Sequence, residues 1–377
     1  MCHTYLPFKQ AKIPFSHFTV NSFYQQMFIT DTIPGRTAIF NNEEWLYFSG
    51  TSYLGLSQSA DFQNLIIEGL QKYGANFGGS RLSNIRLQIF EAAENHLANW
   101  TGAEAALTIS SGTLAGQLVV KTLQNQGKFY FAPGVHPALF GEGDYSNLNF
   151  NHWTQFILEE AQNLKSPLIL FSNTLDPLKA KSFDFDWIQN LPNRIPITIV
   201  LDDSHGIGIT GKGGAGIFST LQTPENVELI VVASLGKALS IPGGVILGSK
   251  SFIQKIWGSP YFGGASPVAP AYLHAFLQAK ELYQNQRQIL FRNIEYFKTL
   301  TNSLHLFQTI DHYPVFYTPE NNVADFFKQH KILISSFPYP TAQSEHITRI
   351  VLNAAHIKAD LIELIDLLKT FVALQNK

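Results

Sequence analysis

Three side chains suited to acid–base or covalent chemistry follow two successive apolar runs of the sequence. Asp202 and His205 come at the end of the run Ile195–Asp202, and Lys237 follows the next run. Ligands of open α/β sheets bind outside the carboxyl ends of the strands, so these residues are expected at one edge of a sheet. A carboxylate, an imidazole and an amine in one crevice suit proton transfer and covalent catalysis by the amine.

A fourth element is the run Ser110–Thr113, which ends another apolar run and begins a helical pattern. Such a helix start presents backbone N–H groups to an anion. Pyridoxal phosphate needs this combination, because a lysine forms its Schiff base and an aspartate keeps its pyridine nitrogen protonated. Each residue alone also has a structural explanation: Lys237 as a solvated charge, Asp202 as a helix cap, His205 and His136 as structural histidines. Their joint order favours the cofactor site.

The elements that must position these residues alternate along the chain. Helical patterns that end at Gly74 and Gly102 precede a series of apolar runs separated by helical stretches, which predicts a parallel sheet covered on both faces. The predicted strands are Ala105–Ser110, Lys128–Ala132, Pro167–Ser172, Ile195–Asp202, Glu228–Ser234 and Gly244–Gly248. One long amphipathic helix is predicted from Pro267 to Leu300. A small α+β domain follows, with strands Tyr313–Thr318, Ile332–Ser335 and Thr348–Asn353, a helix Val323–His330 and a last helix around Leu361–Val372.

The composition limits the kind of protein. The chain has 377 residues, a net charge of −2, and 45% hydrophobic against 14% charged residues, which fits a large core and an oligomer. The near-neutral charge argues against a nucleic-acid partner. The single cysteine, Cys2, excludes an internal disulfide. Residues 1–15 lack the apolar core of a secretory signal, and no apolar run approaches the roughly 18 residues of a membrane span. We therefore expect a cytoplasmic protein without a membrane span.

A glycine-rich segment offers two nucleotide motifs, and both fail on context. Gly206–Gly211 matches G-x-G-x-x-G, but the glycines of KGGAG follow it where a helix should begin, and two carboxylates precede it. Gly206–Lys212 approaches the Walker A spacing, but Gly213 stands in place of the required Ser or Thr. A glycine-rich loop leaving a strand explains the segment better.

Taken together, the motifs resemble those of the α-oxoamine synthases. These are fold-type I pyridoxal-phosphate enzymes that include 8-amino-7-oxononanoate synthase, 2-amino-3-ketobutyrate CoA ligase and serine palmitoyltransferase. The resembling segments run in family order from about residue 47 to the C-terminus: SYLGLS (52–57), YGANFGGSRL (73–82), SSGTLAG (110–116), DDSHGIGITGKGGAG (202–216), SLGKAL (234–239) and RIVLNAAH (349–356). The resemblance implies an α/β fold with a mostly parallel seven-stranded sheet between helices, plus a smaller C-terminal α+β domain.

The resemblance also implies roles around the cofactor ring. Lys237 would carry pyridoxal 5′-phosphate as a covalent aldimine and later act as the base on the substrate Cα. Asp202 would pair with the pyridine nitrogen, and His205 would hydrogen-bond the phenolic oxygen. His136 would stack on the ring.

Further matching residues would bind the phosphate and the substrate. The cofactor phosphate would be held at the helix start by Ser111, Gly112 and Thr113, and by the hydroxyl of Ser234. Arg349 would bind the carboxylate of the amino acid, a planar bidentate task that suits a guanidinium.

Five positions depart from the family pattern. Ser52, expected at the substrate, replaces the asparagine of an NYLGL motif, and Phe90 stands in the register of a histidine. Gly263 and Gly264 replace hydroxyl residues that reach the partner subunit's phosphate. Asp176 falls near the serine of an SMDGD motif. The residues of the cofactor site are kept, whereas those around the substrate differ.

The implied reaction condenses an amino acid with an acyl-CoA and releases CO2, giving an α-amino ketone. The chain length suits 8-amino-7-oxononanoate synthase without excluding its relatives. Four alternatives stay open: another α-oxoamine synthase, an aminotransferase on the same fold, a non-enzymatic relative of the fold, and a nicotinamide-dependent dehydrogenase. The presence of Lys237, Asp202 and His205 opposes the non-enzymatic alternative.

The expected organisation has three parts. An N-terminal segment covers residues 1–46, a large cofactor-binding domain residues 47–280, and a small C-terminal domain, packed with the N-terminal segment, residues 281–377. The resemblance implies a homodimer with its active site at the subunit boundary. No metal site is predicted.

Overall fold

The computed structural model describes residues 28–339, 341 and 343–375. The expected N-terminal segment lies outside the described residues as far as residue 27, and so do Cys2 and the stretch 1–15. The strands are β1 Thr37–Phe40, β2 Glu43–Phe48, β3 Ala105–Ile109, β4 Lys128–Phe131, β5 Asp144–Tyr145, β6 Leu168–Asn173, β7 Leu175–Asp176, β8 Lys181–Ser182, β9 Ile197–Asp202, β10 Val227–Ser234, β11 Gly244–Gly248, β12 Gln308–Thr309, β13 Val315–Thr318, β14 Ile332–Pro338 and β15 His346–Val351.

The α-helices are numbered in the same way. They are α1 Ala60–Tyr73, α2 Gln88–Thr101, α3 Gly112–Leu123, α4 Phe150–Asn163, α5 Lys250–Trp257, α6 Pro260–Gly263, α7 Pro270–Gln278, α8 Lys280–Thr301, α9 Asn322–Gln329 and α10 Lys358–Gln375. Across the described ranges, no helix is both long enough and apolar enough to cross a bilayer.

Seven strands form the large sheet, in the order β3-β11-β10-β9-β6-β4-β5. Neighbouring strands from β10 to β5 are parallel, whereas β11 runs antiparallel to both β10 and β3. The predicted mostly parallel, seven-stranded sheet is confirmed. The insertion of β11 between β10 and β3 is the feature that the apolar runs did not reveal.

Both faces of this sheet are buried. In β9, Val200 packs in one apolar core with Phe131 and Phe171, while Ile199 and Leu201 belong to the other core. Successive side chains of a strand point to opposite faces, so a strand covered on both faces is apolar throughout. The continuous apolar runs predicted the central strands for this reason.

The helix predictions succeed where a glycine ends the helix and fail at one bend. The helices α1 and α2 end at Gly74 and Gly102, whose φ angles of 76° and 82° favour glycine. The single helix predicted from Pro267 to Leu300 is wrong, because the chain forms α7 and α8 instead. Ala279 separates them with ψ at 15° and is buried at 1% exposure, so the chain changes direction inside the core.

The second sheet joins the two ends of the described chain. Its order is β1-β2-β14-β15-β13-β12, with β2 and β14 parallel and the other neighbours antiparallel. The expected boundary between residues 46 and 47 falls inside β2, and the one between residues 280 and 281 falls in the first turn of α8. Arg349, on β15, donates a hydrogen bond to the carbonyl of Pro177, so the second sheet contacts the loops of the large sheet.

Candidate active site

The central strands of the large sheet bring the predicted acid, imidazole and amine to one edge. Asp202 ends β9 and pairs with Val232 of β10 on one side and Asn173 of β6 on the other. Lys237 lies in the turn after β10, and its Nζ is 2.8 Å from Nε2 of His205. The structure thus brings together the three side chains that the sequence places after successive strands.

His205 connects this lysine to two buried tyrosines. When Lys237 is an ammonium, it can only donate to Nε2 of His205, and the imidazole Nδ1–H then donates to the Tyr53 hydroxyl at 2.8 Å. The Tyr53 hydroxyl lies 3.4 Å from that of Tyr313. Burial, followed by the cations of Lys237 and Arg349, holds the pKa of His205 well below its ordinary value. The imidazole is therefore neutral.

Lys237 is poised to act as a nucleophile and a base. Burial is the largest cause that lowers its pKa, to about 8; the Arg349 guanidinium lowers it further, and the Asp202 carboxylate opposes both. A large fraction of the amine is therefore neutral near pH 8. The neutral amine is the form that adds to an aldehyde or accepts a proton.

Asp202 keeps one carboxylate oxygen available. Its Oδ1 accepts a hydrogen bond from the Ser204 amide at 2.9 Å. Its Oδ2 lies 3.6 Å from Nδ1 of His136, but that nitrogen already accepts the Ala138 N–H at 3.1 Å and has no proton to donate. Within the described part of the chain, Oδ2 thus accepts no hydrogen bond, although the side chain is nearly buried. A cationic ring nitrogen would satisfy it.

The antiparallel strand β11 brings Ser234 close to the start of α3. Ser234 pairs with Gly244, which in turn pairs with Ile109 at the end of β3. A Cβ on Gly112 would lie 2.8 Å from the Ser234 Cβ, and a Cβ on Gly244 would lie 2.3 Å from the carbonyl oxygen of Ser111. Only glycine allows these approaches.

The start of α3 offers unpaired donors. The Ser111 hydroxyl caps the helix by accepting the Leu114 N–H at 3.1 Å. The N–H groups of Gly112 and Thr113 have no hydrogen-bond partner among the described residues. The adjacent Ser234 hydroxyl accepts a bond from a turn amide and keeps its proton to donate. These groups form a phosphate-sized donor set.

Arg349 reaches the site from the second sheet. Its side chain is 6% exposed, one Nη donates to the Pro177 carbonyl, and its buried Nε has no partner within the described ranges. The guanidinium lowers the pKa values of Lys237 and His205, which places its charge in the same site. An unpaired guanidinium N–H in a buried site suits a carboxylate ligand.

These groups fit pyridoxal phosphate. The unpaired Asp202 oxygen suits the protonated ring nitrogen, the Lys237 amine suits the aldehyde, and the α3 start with Ser234 suits the phosphate. The unpaired guanidinium N–H of Arg349 suits a further carboxylate ligand.

Two of the departing positions have side-chain contacts with residues not named so far in this site. The Ser52 hydroxyl bonds to that of Ser57 at 3.1 Å, while its neighbour Tyr53 contacts His205. Phe90 is buried under the Arg81 guanidinium, 4.5 Å from its ring centroid. Sequence reasoning missed Tyr53, although it lies within the quoted SYLGLS segment.

The other departing positions have backbone or capping contacts. The Asp176 carboxylate accepts the Leu178 amide at 2.8 Å, which shapes the turn that contains Pro177. The Gly263 carbonyl accepts the Ser80 hydroxyl at 2.6 Å. Gly264 ends α6 with φ at −88°, a conformation open to other residues.

The glycine-rich loop wraps a buried carboxylate that sequence reasoning also missed. Asp203 accepts the Thr174 hydroxyl at 2.7 Å and the Ile217 amide at 2.8 Å. A Cβ on Gly206 or Gly216 would come within 2.0 or 2.1 Å of its oxygens. Burial raises the Asp203 pKa to about 7. The loop forms a 3₁₀ turn, and no α-helix follows it directly. A dinucleotide-binding turn would open an α-helix, so the loop is not of that kind.

Comparison with known proteins decides the family. The aminotransferase class I and II family matches residues 144–368, more than half of the chain. The chain belongs to this family. Its fold-type I architecture, expected from the sequence, is confirmed.

Curated relatives and solved structures extend this result. The 8-amino-7-oxononanoate synthase of Dechloromonas aromatica is 28% identical over 255 residues, which are 64% of this chain and 66% of that protein. The same enzyme of Petrotoga mobilis is 25% identical over 344 residues, 85% and 86% of the two chains. The fold is shared with a serine palmitoyltransferase from S. paucimobilis, solved with bound PLP and myriocin, at TM-score 0.78, 14% identity and 92% and 93% coverage. The resemblance to α-oxoamine synthases is confirmed.

Proposed function

We propose that this family member is a pyridoxal-phosphate-dependent acyltransferase of the 8-amino-7-oxononanoate synthase kind. It condenses an amino acid with an acyl-CoA and releases CoA and CO2, leaving an α-amino ketone. The main support is the 2.8 Å contact between Lys237 and His205 beside the unpaired oxygen of Asp202. The names of the curated relatives agree with this proposal.

Each side chain of the site has a task in this reaction. Bound pyridoxal phosphate supplies an electron-accepting ring that stabilises negative charge at the substrate Cα. Lys237 would hold the cofactor through its aldehyde, and its Nζ would take the Cα proton, which a pKa of about 8 favours. Asp202 holds the proton on the ring nitrogen, and Arg349 orients the substrate carboxylate. Neutral His205 would hydrogen-bond the ring's phenolic oxygen.

The overall reaction balances without a further reactant beyond a proton. A carbon–carbon bond forms between the amino-acid Cα and the thioester carbonyl carbon, and the carbon–sulfur bond breaks as CoA leaves. The carboxylate then departs as CO2, leaving its electron pair on Cα, which takes up a proton. Burial of the Lys237 amine allows it to carry protons to and from Cα.

Product analysis tests the proposal. Purified, cofactor-loaded protein is given L-alanine, glycine or L-serine, each with and without acyl-CoAs, while thiol release, CO2 and products are measured. We expect one amino acid to cause acyl-CoA-dependent thiol release and an α-amino ketone. Lys237→Ala should abolish both, whereas Lys250→Ala, at the start of α5, should not. Conversion of the amino acid to a 2-oxo acid without thiol release would select an aminotransferase instead.

The homodimer is part of the same proposal. Leu82, Ile85 and Tyr261 are 43%, 61% and 60% exposed, and Leu82 lies against Gly263, which occupies a position that faces the partner in the family. Large apolar side chains grouped at a surface favour a second copy as their cover. Light scattering after size exclusion should show a dimer, and Ile85→Glu should shift it toward monomer. The cytoplasmic location stays a prediction.

A further inference from the structure

A second cavity lies apart from the proposed catalytic residues. It is open to solvent, has an accessible volume of about 80 Å³, and lies between α2, the glycine-rich loop and the α7–α8 bend. Its wall combines aromatic rings with cationic and polar side chains: His96, Trp100, Phe276, Lys280, Tyr283 and Arg287.

The aromatic side chains form a contiguous wall. Phe276 is 6.5 Å from Trp100 and 6.0 Å from Tyr283 between ring centroids, and His96 meets its edge at 5.3 Å. Trp100 and Tyr283 are half-buried, so their rings remain accessible from the cavity. Such a wall favours a flat ring as ligand.

The cations of this cavity lack acidic partners. Lys280, Tyr283 and Arg287 are three and seven residues apart on α8 and share one face of the helix. Among the described residues, neither Lys280 nor Arg287 has a carboxylate within 4.0 Å, and no acidic side chain lines the cavity. Two cations without acidic partners in the wall of an aromatic cavity are complementary to a ligand with at least two negative charges.

We propose that this cavity binds a phosphorylated purine nucleoside, with the base against Trp100 and Tyr283 and the phosphates at Lys280 and Arg287. The ligand comes from one of two sources: the phosphorylated adenosine of the CoA substrate, which rests on the function proposed above, or a free nucleotide. The Tyr283 hydroxyl donates to the Leu239 carbonyl at 2.8 Å, two residues beyond Lys237. A ligand in the cavity would therefore lie against the segment that carries Lys237.

Calorimetric titration of the cofactor-loaded protein with adenosine 3′,5′-bisphosphate tests the site. We expect saturable binding, with uncharged adenosine at least tenfold weaker. The variant Lys280→Gln/Arg287→Gln should weaken the bisphosphate at least tenfold. Arg292→Gln, exposed on the same helix and outside the cavity, should change it less than twofold. Thermal melting confirms that each variant is folded. If the double variant does not fold, the single variant Lys280→Gln is titrated in its place.

Competition identifies the source of the ligand. If CoA displaces the bisphosphate and Arg287→Gln raises the KM for acyl-CoA at unchanged kcat, the adenosine belongs to the substrate. If ATP displaces it and CoA does not, the ligand is a free nucleotide. Both results support the site. No binding of the bisphosphate at millimolar concentration, or equal binding by the double variant, would overturn it. Because binding is measured without turnover, failure of the proposed reaction would leave this result intact.

Discussion

The Nζ of Lys237 lies 2.8 Å from Nε2 of His205, and the other ring nitrogen of the same imidazole lies 2.8 Å from the Tyr53 hydroxyl. The amine therefore belongs to a hydrogen-bonded chain that extends into the core. This chain fixes the orientation of the imidazole.

The rate at which cofactor-free protein captures pyridoxal phosphate should follow the titration of Lys237. Only the neutral amine reacts, so the rate should rise with pH and reach half its maximum near pH 8, well below the range of about 10.4 for an exposed lysine. Stopped-flow absorbance at each pH gives the midpoint. Arg349→Gln should raise the midpoint, because it removes a neighbouring cation, whereas Arg292→Gln should not move it. A capture rate that still rises above pH 10 would show that burial does not lower the pKa of Lys237.

Removing the Tyr53 hydroxyl should destabilise the protein. Tyr53→Phe leaves the His205 Nδ1–H without its acceptor in a buried site, at a cost of roughly 1–3 kcal/mol in the free energy of unfolding. Tyr313→Phe loses only the longer 3.4 Å contact and should cost less. Urea denaturation of both variants measures the difference. Equal losses would show that the hydrogen bond to His205 is not the source of the effect.

Asp202→Asn should separate catalysis from folding. The asparagine oxygen can still accept the Ser204 amide, so the free energy of unfolding should change little. The amide has no negative charge to hold a proton on the ring nitrogen, and turnover should fall by about a hundredfold or more. Steady-state kinetics and urea denaturation give the two quantities. The exposed Asp186→Asn is the matched control, and unchanged turnover in Asp202→Asn would refute its role.

His356 should make the protein sensitive to mild acid. Its Nδ1 accepts the Asn353 amide, its Nε2–H donates to the Tyr47 carbonyl, and burial lowers its pKa to about 4. The unfolded chain takes up this proton near pH 6.5, but the folded one only near pH 4. The stabilisation is therefore complete above pH 6.5 and is lost as the pH falls toward 4.

Unfolding free energies at two pH values test this. Between pH 7 and pH 5, the wild type should lose about 2 kcal/mol more than His356→Gln. The exposed His152→Gln should keep the wild-type pH dependence. Parallel losses in wild type and His356→Gln would exclude His356 as the acid-sensitive group.

The sequence predicted the part of the site that lies at strand ends. Asp202 and Lys237 each follow a buried strand, and parallel neighbours carry their carboxyl ends to one edge, so local patterns were enough. Ser111 and Ser234 were also singled out correctly as residues next to a helix start and a strand end. What local patterns could not show is that β11 inserts between their strands and brings them together.

The residues that sequence reasoning missed come from distant segments. Tyr53 lies 152 positions from His205 along the chain, and Tyr313 lies 260 positions from Tyr53. Their contacts depend on how the second sheet packs against the large one, which periodicity does not encode. Asp203 was overlooked for another reason: its neighbour Asp202 accounted for the chemistry, and only the close approach of the surrounding glycines shows that it anchors the loop.

The attachment of the cofactor to Lys237 is the most direct test of this account. The protein is loaded with pyridoxal phosphate, reduced with borohydride to make the bond permanent, and digested for peptide mass spectrometry. We predict the pyridoxyl modification on the peptide that contains Lys237, in stoichiometric amount, and its loss in Lys237→Ala. Modification of a different lysine, or none after reduction, would contradict the central claim.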